Sequence, residues 1–231
     1  MTKKRTSKRR TRKPDETKSE ATRRHLLDQA LALFHKRGVE GTTMRDIAKA
    51  AGLSLGAAYY YFPSKEALVF AYYEANQASR ELAAASLSRA PLRERLGTLF
   101  HGSLETIRPQ RKMLASILGH LVNPHDPLSA FSKQSAAVRE RAIAQYAAAL
   151  GSDVPAAQVP LIASTLWLLQ LAAMLLYVTD ESPEQRRTHG LVDDGLDLLV
   201  PLLPLLATPM GAAMVDRVTA ALARAGISPT S

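Results

Sequence analysis

An all-α protein is what three features of the 231-residue sequence predict. No run of period-2 alternation bounded by turn residues occurs, so nothing reads as a half-buried strand. Apolar residues instead recur at the spacing of one helix face in segment after segment. Proline and glycine (Pro91, Pro109, Pro124, Gly151, Pro183, Pro209) punctuate those segments at helix-length intervals. The expected organisation is a basic arm over residues 1–16, a three-helix head over 17–63, a larger helical body over 64–226 and a flexible tail over 227–231.

The first helix opens at Thr17, with Glu20 at capping-box spacing. Leu26, Leu27, Ala30, Leu31 and Phe34 form its buried stripe, and Gly38 suits the left-handed position that ends it. A second, short helix opens at Thr43, again with an acid, Asp46, three residues on. Gly52 breaks it, and Ser54 can cap a third helix that Pro63 stops. Two short helices joined by a tight glycine-containing turn make a helix-turn-helix. Ser64 can cap the fourth helix, and further helices are expected over 91–108, 110–122, 127–150, 156–179, 184–206 and 210–225.

Charge divides the chain. Residues 1–66 hold 16 Lys/Arg against 7 Asp/Glu, whereas the rest holds 14 of each, so the whole net charge of +9 sits in the first third. That asymmetry points to a polyanion-binding end on an electrically neutral remainder, and both nucleic acid and an anionic membrane satisfy it. Eight basic residues precede Asp15 with no apolar run behind them, which excludes a secretory signal. The arm is either a solvated tail or a strand of charge laid along phosphates or in a minor groove. Cysteine is absent, which excludes a disulfide framework and thiolate-ligated metal and fits a reducing compartment.

The third helix, within LSLGAAYYYFPSKEAL, carries Tyr59, Tyr60 and Tyr61 in a row. At 100° per residue three adjacent side chains cannot share a buried face. Ala58 and Phe62 define the core side, so Tyr60 points away from it with Gly56 and Ala57, and Tyr59 and Tyr61 fall on the flanks. Such a helix suits the DNA major groove: the outer face meets base edges, and tyrosine hydroxyls on the flanks can donate to phosphates. Lys65, in the first turn of the next helix, would add a charge contact there.

Residues 42–73, TTMRDIAKAAGLSLGAAYYYFPSKEALVFAYY, resemble the DNA-binding signature of the TetR family of bacterial transcriptional regulators. The TT opening, the IA-x-x-AG segment, the Tyr59/Phe62 pair and the PSKEAL close carry the likeness, and Phe34 and Gly38 fit it as well. The resemblance implies a helix-turn-helix head on a ligand-binding and dimerisation body, with double-stranded DNA, a second copy of the chain and a small-molecule effector as partners. Carried over by position, Thr43, Arg45, Leu55, Gly56, Ala57, Tyr59, Tyr60, Tyr61 and Lys65 would contact DNA. Leu55 and Ala57 depart from the polar residues usual at their positions, which leaves few base-reading donors and shifts weight to shape readout and phosphate contact.

In the body, residues 159–178 hold no charge and are long enough to cross a membrane. Ser164, Thr165 and Gln170, and the lack of flanking Lys/Arg, favour instead a helix buried in a soluble, cytoplasmic protein. The resemblance implies that this helix and the next form a four-helix dimer interface, with Leu168, Leu171, Leu175, Leu191, Leu196 and Leu199 as candidates. Candidate ligand-pocket residues are Phe100, His101, Leu104, Met113, Ile117, His120, Trp167, Gln170 and Met174, which would take a mostly apolar molecule with one or two hydrogen-bonding groups. His120, His125 and Asp126 do not share a helical metal spacing, with Pro124 between the histidines. No nucleophile elbow or phosphate-cradling glycine loop occurs, so no enzyme, metal or cofactor is expected. The expected function is a homodimeric repressor released from a palindromic operator by a small molecule; the competing reading is a low-specificity nucleoid-binding protein.

Overall fold

The structure, a computed structural model, describes residues 17–85, 89–123 and 125–224, and every element among them is helical. The basic arm and the C-terminal tail expected from the sequence lie outside the described residues.

Helix α1 (Lys18–Arg37) starts where its capping box predicts. The Thr17 hydroxyl accepts from the Glu20 amide at 3.2 Å, and the Thr17 amide donates to the Glu20 carboxylate at 2.8 Å. Leu26, Ala30 and Phe34 form its buried stripe. Gly38, at φ 74°, takes the backbone out of the helix. Helix α2 (Met44–Ala50) has the same reciprocal cap between Thr43 and Asp46. It ends in a tight left-handed turn: Gly52, at φ 67°, donates to the Lys49 carbonyl, and Leu53 reaches back to that of Ala48 at 2.9 Å. Helix α3 (Leu55–Tyr61) then begins on the Ser54 cap, whose hydroxyl accepts from Ala57. Helix α4 (Lys65–Ala85) follows at once, with Ser64 accepting from Ala67.

The body comprises α5 (Leu92–Ile107), α6 (Arg111–Ser116), α7 (Leu118–Val122), α8 (Ala136–Leu150), α9 (Val159–Thr179), α10 (Arg186–Leu199) and α11 (Pro209–Arg224). Helices α4, α5, α8 and α9 pack on one another around a core that includes Leu96, Leu104, Tyr146, Leu150, Leu166 and Tyr177. Helix α1 touches both α4 and α6, so the head rests directly on the body. Helix α10 docks on α5 through Arg93, which bonds Asp193 at 2.8 Å and Asp197 at 2.6 Å.

Three expected helices differ. The 110–122 segment is broken at Ile117, just after Ser116 turns its hydroxyl onto the Met113 carbonyl. The 127–150 segment is helical only from Ala136, because Asp126, Ser129, Ser132 and Ser135 hold the preceding backbone in turns of their own. The 184–206 segment is α-helical only to Leu199. Pro201 and Pro204 lack the N–H that an α-helix needs, and Val200–Ala207 tightens into a 3-10 helix.

Candidate nucleic-acid interface and body cavity

The head presents α3 on its surface with an apolar underside. Ala58 and Phe62 are buried, and the Arg23 guanidinium covers the Phe62 ring at 4.6 Å. Tyr60, opposite them, is 81% exposed and Tyr59 49%. Tyr61 is not Tyr59's equivalent: it is half-buried, packs on the core, and stands edge-on to Tyr60 with ring centroids 5.2 Å apart. Leu55 likewise leans on the core. Gly56 is exposed, and a β-carbon there would meet nothing within 4 Å, so the protein's own packing does not require a glycine. Ala57 is half-buried beside it.

Arg45 and Lys49 of α2 are exposed beside α3, and Lys49 is a basic residue that the sequence reading passed over. Thr43 is exposed too, but its hydroxyl is engaged with Asp46 at 2.6 Å. That bond holds the Asp46 carboxyl below its usual range, so the cap stays charged. Lys65 is also engaged: its ammonium donates to the Val39 carbonyl at 2.8 Å, in the loop between α1 and α2. No sequence pattern shows that bond, because the two residues are 26 apart.

Helices α4, α5, α8 and α9, with Leu114, Leu118 and residues of the loop before α8, line a cavity of about 320 Å³ that is open at one edge. Of the residues expected to line it, Trp167, Gln170 and Met174 do. Phe100, His101, Leu104, Met113, Ile117 and His120 do not. Leu104, Met113 and Ile117 are wholly buried in the core, and Phe100 stands edge-on to Tyr146 at 5.4 Å. His101 turns to α10, with Nδ1 2.8 Å from His189 Nδ1 and Nε2 3.0 Å from Asp193. His120 sits 2.7 Å from Asp126, a contact that raises the histidine's pKa and lowers that of the carboxyl. Tyr73 and Arg139 also line the cavity, and helical periodicity alone did not single them out.

The candidate interface leucines divide. Leu168, Leu171 and Leu175 line the cavity, although Leu168 is also half-exposed at its edge. Leu196 is 3% exposed and belongs to the core; Leu199 is half-buried against it, and Leu191 is open. Leu169 and Leu176 of α9, Leu198 of α10, and Leu202 and Leu205 beyond it are exposed, and the sequence reading did not name them. Among the described residues, no group of three or more potential ligands could hold a metal ion.

A model of bacterial regulatory proteins of the tetR family matches residues 26–72. The HTH-type transcriptional regulator AcrR of Shigella flexneri is 45% identical over 65 residues, 27% of this chain and 30% of its own length. The HTH-type transcriptional repressor KstR2 of Rhodococcus jostii is 50% identical over 56 residues, 24% of this chain and 28% of its own. The chain thus spans under a third of these two relatives. Among solved structures, a TetR-family regulator from Syntrophomonas wolfei aligns with TM-score 0.64 at 18% identity, covering 79% of this chain and 96% of that one. The regulator FadR of Bacillus subtilis, in complex with stearoyl-CoA, aligns with TM-score 0.60 at 15% identity, covering 75% and 96%. These structural likenesses show a shared fold.

Proposed function

Because the chain belongs to the TetR family of bacterial regulators, we propose that this DNA-binding regulator is a cytoplasmic homodimeric repressor of a palindromic operator, released by a mostly apolar small molecule. The outer face of α3 carries the reading. Tyr60 stands clear of the protein, with Gly56 leaving open space on the same face, while Ala58 and Phe62 fix the helix from beneath. A helix so anchored and so narrow enters a major groove, where Tyr60 and Arg45 reach base edges and Tyr59 reaches phosphate. Exposed leucines on α9 and α10 supply a self-complementary face. Two-fold symmetry then sets the half-sites about 34–36 Å apart, or a multiple of that. The effector acts by binding more tightly to a body conformation whose heads no longer match that spacing.

In vitro selection of random duplex DNA by the purified protein tests this. The expected result is an enriched inverted repeat. Efficient retention of DNA with no enriched motif would favour the low-specificity nucleoid-binding alternative.

A further inference from the structure

The cavity's polar groups are unevenly matched. Among the described residues, Arg139 is the one charged residue lining it, and no Asp or Glu joins it there. One of its terminal nitrogens donates to the carbonyls of Ala130 and Ser132, which ties the side chain to the loop before α8. That leaves further N–H groups and the whole positive charge without a carboxylate among the described residues. The Tyr73 hydroxyl is buried and has no hydrogen-bond partner among the described residues. Gln170 accepts from Tyr146 at 2.5 Å, but its amide nitrogen reaches only the Met174 sulfur at 3.6 Å, a weak acceptor. By contrast, the hydroxyls of Thr106 and Ser135 are engaged with backbone carbonyls. Arg139, Tyr73 and the Gln170 amide nitrogen thus offer donors to the cavity, and a buried donor without an acceptor is costly.

We propose that the cavity's ligand is an apolar carboxylic acid, with its carboxylate paired to Arg139, further acceptor contacts from Tyr73 and Gln170, and its apolar body among the leucines and Trp167. The inference rests on the proposed release by a small molecule, places that effector in this cavity, and adds the charge of the ligand. One arginine matches one carboxylate; a doubly charged phosphate would leave a buried charge unpaired. The volume lies at the lower end of ligand pockets, which suits a compact acid. Burial raises the Tyr73 pKa, so the hydroxyl keeps its proton and remains a donor across the physiological range.

Trp167 is the chain's one tryptophan and lines the cavity, so its fluorescence reports occupancy. The experiment titrates the purified full-length protein with decanoate and, separately, with decanol, both below micelle-forming concentrations. Decanoate is expected to bind about tenfold more tightly, the difference that one charge-assisted pair supplies. Arg139→Gln is expected to abolish that preference, and Arg139→Lys to retain part of it. The wild-type comparison needs no variant, so it stands even if Arg139→Gln loosens the loop. Decanol binding as tightly as decanoate, or a preference that survives Arg139→Gln, would overturn the acid and leave the cavity reading intact. If neither probe perturbs Trp167, both readings are overturned.

Discussion

Tyr60 on α3 and Phe62, the residue that caps its C-terminal end, have opposite fates: one stands in solvent and the other lies under Arg23. Tyr60→Ala is expected to change stability by no more than about 0.5 kcal/mol, as exposed substitutions do. It should nonetheless weaken operator binding about tenfold. Phe62→Ala removes a buried ring and is expected to cost about 3–5 kcal/mol. Urea denaturation and gel-shift titration of both variants separate the roles; equal operator affinity in wild type and Tyr60→Ala would remove Tyr60 from the interface. The different fates of these two aromatics were legible in the sequence because a 100° rotation per residue fixes them once Ala58 is taken as buried. The engagement of Lys65 was not, because it depends on where a carbonyl 26 residues away comes to lie.

Among elements, the α2–α3 turn and the α3 surface each hold a glycine, for different reasons. Gly52 has positive φ with open space around it, so Gly52→Ala suffers only backbone strain, about 1–2 kcal/mol. Gly56 is helical and equally open, so Gly56→Ala is expected to stabilise the head by about 0.5–1 kcal/mol. On the present reading the added methyl also hinders groove entry, so stability should rise while operator affinity falls. Thermal melts beside gel shifts check this, and a stabilised variant with undiminished affinity would place α3 outside the groove. The head's helices were legible because their starts are local: a threonine or serine and the amide three residues on settle each cap. The 127–135 segment was not legible, since serines sitting at helix-compatible spacing chose their own backbone over the helix. The cavity was half-legible. Trp167 and Gln170 were found as polar-tipped groups in an apolar helix, whereas Tyr73 and Arg139 come from α4 and α8 and meet them only through tertiary packing.

At the scale of the molecule, the apolar surface of α9 and α10 is unpartnered in the single chain. Leu198 is 73% exposed, with Leu202 and Leu205 continuing the same end. If this face joins two copies, the double variant Leu198→Glu, Leu202→Glu should elute in size-exclusion chromatography at half the wild-type mass and lose cooperative operator binding. A wild-type elution volume would place the interface elsewhere. Helix α4 belongs to both halves of the chain. At its first turn the Lys65 ammonium is tied to the head's α1–α2 loop, and two turns on Tyr73 faces the cavity, about 12 Å along the same helix. A stiff rod pinned at one end and pushed near its middle cannot bend locally; it pivots. On the proposed reading, a ligand that displaces Tyr73 would act on a lever arm whose short end is the head, and in a dimer a fraction of an ångström at the cavity would become a change of angle between the two heads.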